Sequence, residues 1–326
     1  MKAVIRVKVS HQAGFGHWVR QCHLAKALAK SGYNVTLFPD DYERLGPPPD
    51  GLVMAPVKSQ NEFLELLPSS INLAILDIHE TIPELISQIR TSAKYVVGFE
   101  DLGSGRNHLD CLIDSNLPPQ FCREIAEQVK TLFGWNYSLL APEYETVSKE
   151  PRDFSNGIQS LLITMGGTDP NKLTSRVVAP LLESFPELKI TVVSGPGFIA
   201  DENFSKLLKS PRVKNQAQPN SLAPLFLQHD AVICSGGVTL HEALASGTPA
   251  FVVPQVAHQE VLAKGLEEEG ATRLAGQPGK VNHDTLIQAL QTTPANLDSM
   301  STAGRKLIDG CGLKRIVEFL SKLTSK

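Results

Sequence analysis

Residues 14–28 read GFGHWVRQCHLAKAL: two glycines, a histidine and, one helical turn later, an arginine. Gly14 and Gly16 permit a tight bend that brings backbone close to a ligand. A helix opening after such a bend offers unpaired N–H groups and the positive end of its dipole to a phosphate, carboxylate or sugar. The same dipole disfavours an imidazolium, so His17 is expected to be neutral and able to accept a proton. Capping the helix is its alternative role. Arg20 is placed either to clamp a phosphate or to stand as a surface cation. The dinucleotide fingerprint GxGxxG fails because its third glycine position is Val19. That weighs against a nicotinamide or flavin enzyme, although Asp40 and Asp41 stand where a ribose-binding acid would lie.

Two further glycine pairs repeat the arrangement. In CSGGVTLHEALASGTPAFVVPQVAHQ, residues 234–259, Ser235, Gly236 and Gly237 follow a strand pattern and open a helix, again offering N–H groups to an anion. Val238 and Thr239 lie in its first turn, and Glu242 lies one turn deeper, where a carboxylate suits the two hydroxyls of a ribose. Its alternative role is to complement the helix dipole. His258 and Gln259 follow the next strand end. In MGGTDPNKLT, residues 165–174, Gly166 and Gly167 allow close backbone approach. Thr168 or Asp169 is the expected helix cap there, with Pro170 in the first turn. An ordinary strand-to-helix loop has the same composition.

The elements needed to position these turns are legible. AVIRVKV, NVTLFP, NLAILDI, KYVVGFED and CLIDSN read as strands alternating with helical patterns over residues 1–150. SLLITM, KITVVSG, AVICSG and PAFVVP do so again over residues 157–304, and the amphipathic CGLKRIVEFLSKL closes the chain within residues 305–326. This alternation predicts α/β architecture with two Rossmann-like halves built from βαβ units. A length of 326 residues also exceeds what one core usually serves. Ligands in open α/β sheets sit beyond the carboxyl ends of the strands, so two such sheets facing one another are expected to form a cleft.

Several classes fall away. A net charge of −3 without basic runs gives no case for nucleic acid. Cys22, Cys111, Cys122, Cys234 and Cys311 are odd in number and lack CxxC spacing, which fits reduced thiols in the cytoplasm better than a disulfide frame or zinc site. The first residues are too short and polar a run for a signal peptide, and no window approaches ~18 unbroken apolar residues, so no membrane span is expected. LDIHE places Asp77, His79 and Glu80 near a strand end, but no second ligand cluster completes a metal site. There is neither a GxSxG elbow nor a Walker lysine.

Taken together, GFGHWVRQCHLAKAL, FEDLGSGRNHLDCLIDSN, FGWNYSLLAPEY, LLITMGGTDPNKLT, SGGVTLHEALASGTPAFVVPQVAHQ and IDGCGLKRI span nearly the whole chain. In these stretches the chain resembles the UDP-sugar hydrolases of pseudaminic acid biosynthesis and the related spore-coat polysaccharide protein. That family has the GT-B fold of the peptidoglycan N-acetylglucosaminyltransferase. The resemblance implies a UDP-type donor held by the C-terminal half, with Glu242 on the ribose. Ser235 and the turn Gly236–Thr239 would meet the diphosphate, with Gly166, Gly167 and Thr168 facing it. It also implies that His17 activates water at the anomeric carbon without metal or other cofactor, inverting the sugar, and that the last helix returns to the N-terminal domain.

Three departures from the family bear on the reaction. Asp77-Ile78-His79 replaces Asp-x-Tyr close to where sugar and nucleophile meet, which makes Asp77 and His79 catalytic candidates beside His17. His258-Gln259 replaces Asn-Gln at the expected sugar contacts, and Arg20-Gln21 replaces an arginine-cysteine pair. Hydrolysis of a UDP-activated acetamido-deoxy sugar is therefore the first expectation. Transfer of the sugar to a glycan or lipid-linked hydroxyl is the alternative, with Trp18, His23 and Lys26 as a possible patch toward such an acceptor. A non-catalytic nucleotide-sugar binder is the third.

Overall fold

Apolar runs that alternate with helical patterns become, in the computed structural model, two all-parallel sheets, one in each of two units. The structure describes residues 1–9, 15–41, 45, 47–116 and 124–325. The first unit comprises Met1–Ala141 with Cys311–Lys326, and the second Pro142–Gly310.

The first unit contains β1 (Lys2–Val7), α1 (Gly16–Lys30), β2 (Asn34–Pro39), β3 (Val53–Met54), α2 (Gln60–Glu65), β4 (Ile71–Asp77), α3 (Pro83–Arg90), β5 (Ala93–Phe99), β6 (Cys111–Asp114) and β7 (Lys130–Phe133). Its sheet runs β3-β2-β1-β4-β5-β6-β7. β1 and β4 are buried almost throughout, as expected of a parallel sheet covered on both faces. Ala3, Ile5 and Val7 join one core with Leu24 and Leu28 of α1, while Val4 joins the other with Ile86 and Ile89 of α3. α1 ends at Gly32, whose φ of +89° is a left-handed conformation glycine adopts freely.

The second unit contains α4 (Tyr144–Val147), β8 (Ser160–Thr164), α5 (Leu173–Ser184), β9 (Lys189–Ser194), α6 (Glu202–Leu207), β10 (Val213–Ala217), α7 (Ala223–Gln228), β11 (Ala231–Cys234), α8 (Val238–Ala245), β12 (Ala250–Val252), α9 (Ala257–Glu268), β13 (Thr272–Leu274), α10 (His283–Leu290) and α11 (Pro294–Leu307). Its sheet runs β10-β9-β8-β11-β12-β13. The final helix α12 (Gly312–Thr324) belongs to the first unit, where Leu313, Ile316, Leu320 and Leu323 enter the core beside α1. Tyr33 and Thr324 share a hydroxyl–hydroxyl hydrogen bond there.

Residues 142–150, read from sequence with the first half, pack in the second unit. Tyr144 is fully buried there, and Arg305 donates to the Glu150 carbonyl. Residues 305–310 likewise finish the second unit. In each sheet the strand order reverses at one place, between β1 and β4 and between β8 and β11. Loops leaving in opposite directions from such a point open a crevice at the carboxyl ends of the strands. No helix among the described residues is long and apolar enough to cross a membrane.

Candidate active site

His17, Arg20 and Gln21 occupy positions i, i+3 and i+4 of α1 and so share one helix face. That face meets Asp77, the last residue of β4, at the first unit's switch point. His17 Nδ1–H donates to Asp77 Oδ1 (2.8 Å). Arg20 donates from Nη2 to Oδ1 (2.7 Å) and from Nε to Oδ2 (2.8 Å), and Gln21 Nε2 donates to Oδ2 (2.8 Å). Burial alone would raise the Asp77 carboxyl. The Arg20 and His17 fields overcome it and hold the group well below the usual carboxylate range. Nδ1 also lies 2.9 Å from Arg20 Nη2, but the shorter contact is to a carboxylate that only accepts, which assigns the proton to Nδ1 and the lone pair to Nε2. His17 is 14% exposed. It does not cap α1, whose N-cap is Phe15 without a side-chain bond.

Arg20 is not a surface cation, and its donors are turned to carboxylates. It is buried, and its remaining edge donates from Nη1 to Glu100 Oε1 (2.5 Å). Burial would lower its pKa, but Asp77 and Glu100 raise it above the ordinary value, so the guanidinium keeps its charge. The His79 ring stands edge-on to His17, 4.4 Å between centroids. Burial, then the neighbouring His17, lowers His79 to about 4 and keeps it neutral. His79 and Glu100 adopt φ of +68° and +51°, conformations costing roughly 1–3 kcal/mol each for residues other than glycine. The two loops are tied together. Leu102 N–H donates to the His79 carbonyl (2.6 Å), Thr81 N–H to Asp101 Oδ1 (3.0 Å), and Gly105 N–H to the Thr81 carbonyl (2.9 Å). A Cβ on Gly103 would lie 2.1 Å from that carbonyl.

The second unit's switch point is built from amides. Gln255 Nε2 donates to Asp169 Oδ1 (2.9 Å), Asn171 Nδ2 to Gln255 Oε1 (2.9 Å), and Gln255 N–H to Gln259 Oε1 (2.8 Å). The loops after β8 and β12 therefore hold one another. A Cβ on Gly236 would stand 2.7 Å from the Gln259 carbonyl, so that glycine serves the crossing of α9. A Cβ on Gly237 would meet only Gln259 Nε2 at 3.8 Å, and one on Gly166 only Ser235 Oγ at 3.6 Å. α8 begins at Val238 with Gly237 as N-cap and no capping side chain, so its first N–H groups, including that of Thr239, are available to an anion. Thr168 is buried with its methyl toward Gly197, which places it in packing. Asp169 accepts from Leu173 N–H and Thr174 N–H. Pro170 lies three residues before the helix, because left-handed Lys172 is the N-cap.

Glu242 is half-buried one turn into α8. Burial raises its carboxyl to about 7, with Glu143 adding to the shift and Tyr144 opposing it. The buried Tyr144 hydroxyl has no hydrogen bond of normal geometry among the described residues. His258 is exposed in the first turn of α9. Gly14 lies outside the described residues; Gly16 opens α1. Trp18 is core at 7% exposed and offers no surface for an acceptor. Among the described residues no group of three or more His, Cys, Asp or Glu is arranged to hold a metal ion. Glu100 and Gln255 carry no role in the sequence analysis, and Gln21 stands there only as a departure from the family pattern. FED at a strand end was the one available signal, and it is common in βα loops.

No family model matches the chain. The spore coat polysaccharide biosynthesis protein SpsG of Bacillus subtilis is 29% identical, covering 96% of each chain. The UDP-2,4-diacetamido-2,4,6-trideoxy-beta-L-altropyranose hydrolase of Campylobacter jejuni is 24% identical over 83% of this chain and 97% of its own. Among solved structures, MurG of Acinetobacter baumannii aligns with a TM-score of 0.66 at 16% identity, covering 99% of this chain and all of its own. The glycotransferase of kitacinnamycin aligns with a TM-score of 0.67 at 16% identity, over 98% of both chains. The chain therefore has the GT-B fold, and it is similar to SpsG along 96% of its length and more distantly to the altropyranose hydrolase.

Proposed function

We propose that the chain is an enzyme acting on a nucleotide-activated sugar, and that it hydrolyses a UDP-linked acetamido-deoxy sugar with inversion, without a metal, in the making of a surface polysaccharide. The observation that carries this reading is the His17–Asp77 pair at the β1–β4 switch point. A histidine oriented through Nδ1 presents Nε2 to a proton. Water attacks the anomeric carbon opposite the leaving group and gives its proton to His17 Nε2. The new carbon–oxygen bond forms as the bond to the phosphate oxygen breaks, and that electron pair leaves with UDP. Asp77 stabilises the imidazolium that results. In the second unit the free N–H groups of α8 take the diphosphate and Glu242 takes the ribose. The names of SpsG and the altropyranose hydrolase support the same class.

A second reading replaces water with an alcohol. Beside His79, Ile82 and Leu102 are 56% and 48% exposed, an apolar lip suited to an acceptor or sugar bearing apolar groups. The test is nucleotide release from a panel of UDP-, GDP- and CMP-sugars in EDTA, without acceptor. The expected result is release of UDP from one donor. In His17→Ala that rate falls by a factor of about 10² or more while donor binding persists. Undiminished release in His17→Ala would remove the base assignment. Thermal stabilisation by UDP without release would favour transfer, or a binder if no hydroxyl acceptor revives turnover.

A further inference from the structure

Glu100 belongs to none of the glycine turns, yet it is buried and holds the same guanidinium as Asp77. A lone Asp77–Arg20 pair would cancel its own charge and leave little field to stabilise a proton on His17. Arg20 instead divides its donors, the Nε and Nη2 edge going to Asp77 and Nη1 going to Glu100. The groups facing His17 among the described residues are Arg20 from α1, Asp77 from β4, His79 from the turn after it and Glu100 from the end of β5. Two carboxylates and one guanidinium sum to −1 while both imidazoles are neutral. The sum becomes zero when His17 takes a proton. The left-handed backbone at Glu100 is held in place, its N–H donating to the Ile113 carbonyl (2.8 Å). Strain that the surroundings enforce in this way clusters at functional sites.

We propose that Glu100 is a positioning residue for proton acceptance: by taking one end of Arg20, it leaves the His17–Asp77 pair in a site of net charge −1 that protonation of His17 cancels. This rests on the reading of His17 as the base, but it is tested without turnover. Histidine-¹⁵N NMR follows the His17 ring against pH, its signals assigned by their loss in His17→Gln. In Glu100→Gln the midpoint moves down by about one unit, and in Arg20→Gln it moves up by a similar amount. In the double variant it returns to within about 0.3 unit of wild type, because the charge is again −1. An unmoved midpoint in Glu100→Gln, or a double variant that keeps a single variant's value, overturns the proposal. Should Glu100→Gln fail to fold, the comparison of Arg20→Gln with the double variant isolates the Glu100 charge and decides alone. A normal titration response alongside undiminished turnover in His17→Ala would leave the charge balance standing and remove only the base assignment.

Discussion

At the β1–β4 edge of the first unit, five ionisable side chains, His17, Arg20, Asp77, His79 and Glu100, lie in mutual contact or interaction. At the β8–β11 edge of the second, Asn171, Gln255 and Gln259 tie the loops together and Asp169 is spent on capping α5. Both edges are topological switch points, so the difference comes from side chains and not from architecture. A cage of charges is rigid because removing any member strands a buried partner. It can also hold a ring in one tautomer. A lattice of amides around the single carboxylate of Asp169 ties loops together with little charge, and it leaves the first N–H groups of α8 uncapped. On the proposed function, proton handling and anion binding fall to two edges of different electrostatic character.

The sharpest way to break this comparison is Asp77→Asn. Turnover should fall on the order of 10³-fold or more, since the ring loses its orienting acceptor, while UDP affinity measured by calorimetry stays within about twofold. A parallel collapse of UDP affinity would mean the two edges are not separate in function. A smaller effect separates the second edge's own glycines. Gly236→Ala drives a Cβ against the Gln259 backbone, at 2.7 Å, and should cost about 1–3 kcal/mol in urea unfolding. Gly237→Ala meets only a side-chain amide at 3.8 Å and should leave stability nearly unchanged. Equal losses would show that the amide lattice does not discriminate between them.

The smallest expected effect is a difference in pH response. Glu242 is raised from 4.5 to about 7 in the folded protein, so the folded state holds the extra proton across that window. Its contribution to stability therefore falls as pH rises from 4.5 to 7. Asp77 and Glu100 lie below their ordinary values and act with the opposite sign. Their contribution is complete above the ordinary carboxylate range and is lost as pH falls through and below it. Between about pH 5 and 7 the Tm of Glu242→Gln should accordingly vary less than that of wild type. UDP affinity in the wild type should weaken below pH 7 as Glu242 loses its charge. A wild type with no such pH response would put Glu242 outside the ribose contact.

Much of this was legible locally. The β1 and β4 runs declare themselves through unbroken apolar stretches, and His17 through a glycine bend before a helical period. What escaped depends on neighbours far apart in sequence. Glu100 reaches Arg20 across 80 positions only because β4 and β5 lie side by side with Leu76 opposite Gly98. Arg20 carries no sign in its own surroundings that it faces two carboxylates. The start of α5 was misplaced for a local reason, since a left-handed lysine at the N-cap has no clear propensity signal. Gln255 stands just past a strand with no local signal of a role, which appears only once the loops after β8 and β12 converge.

The placement of α12 bears on the order in which the protein can be made. A chain emerges from the ribosome N-terminus first, and domains generally fold as they are completed. Here Leu313, Ile316, Leu320 and Leu323 supply the wall against which α1 packs. The unit that carries His17 is therefore the first to be synthesised and the last to acquire its full core. The second unit, uninterrupted from Pro142 to Gly310, is complete before it.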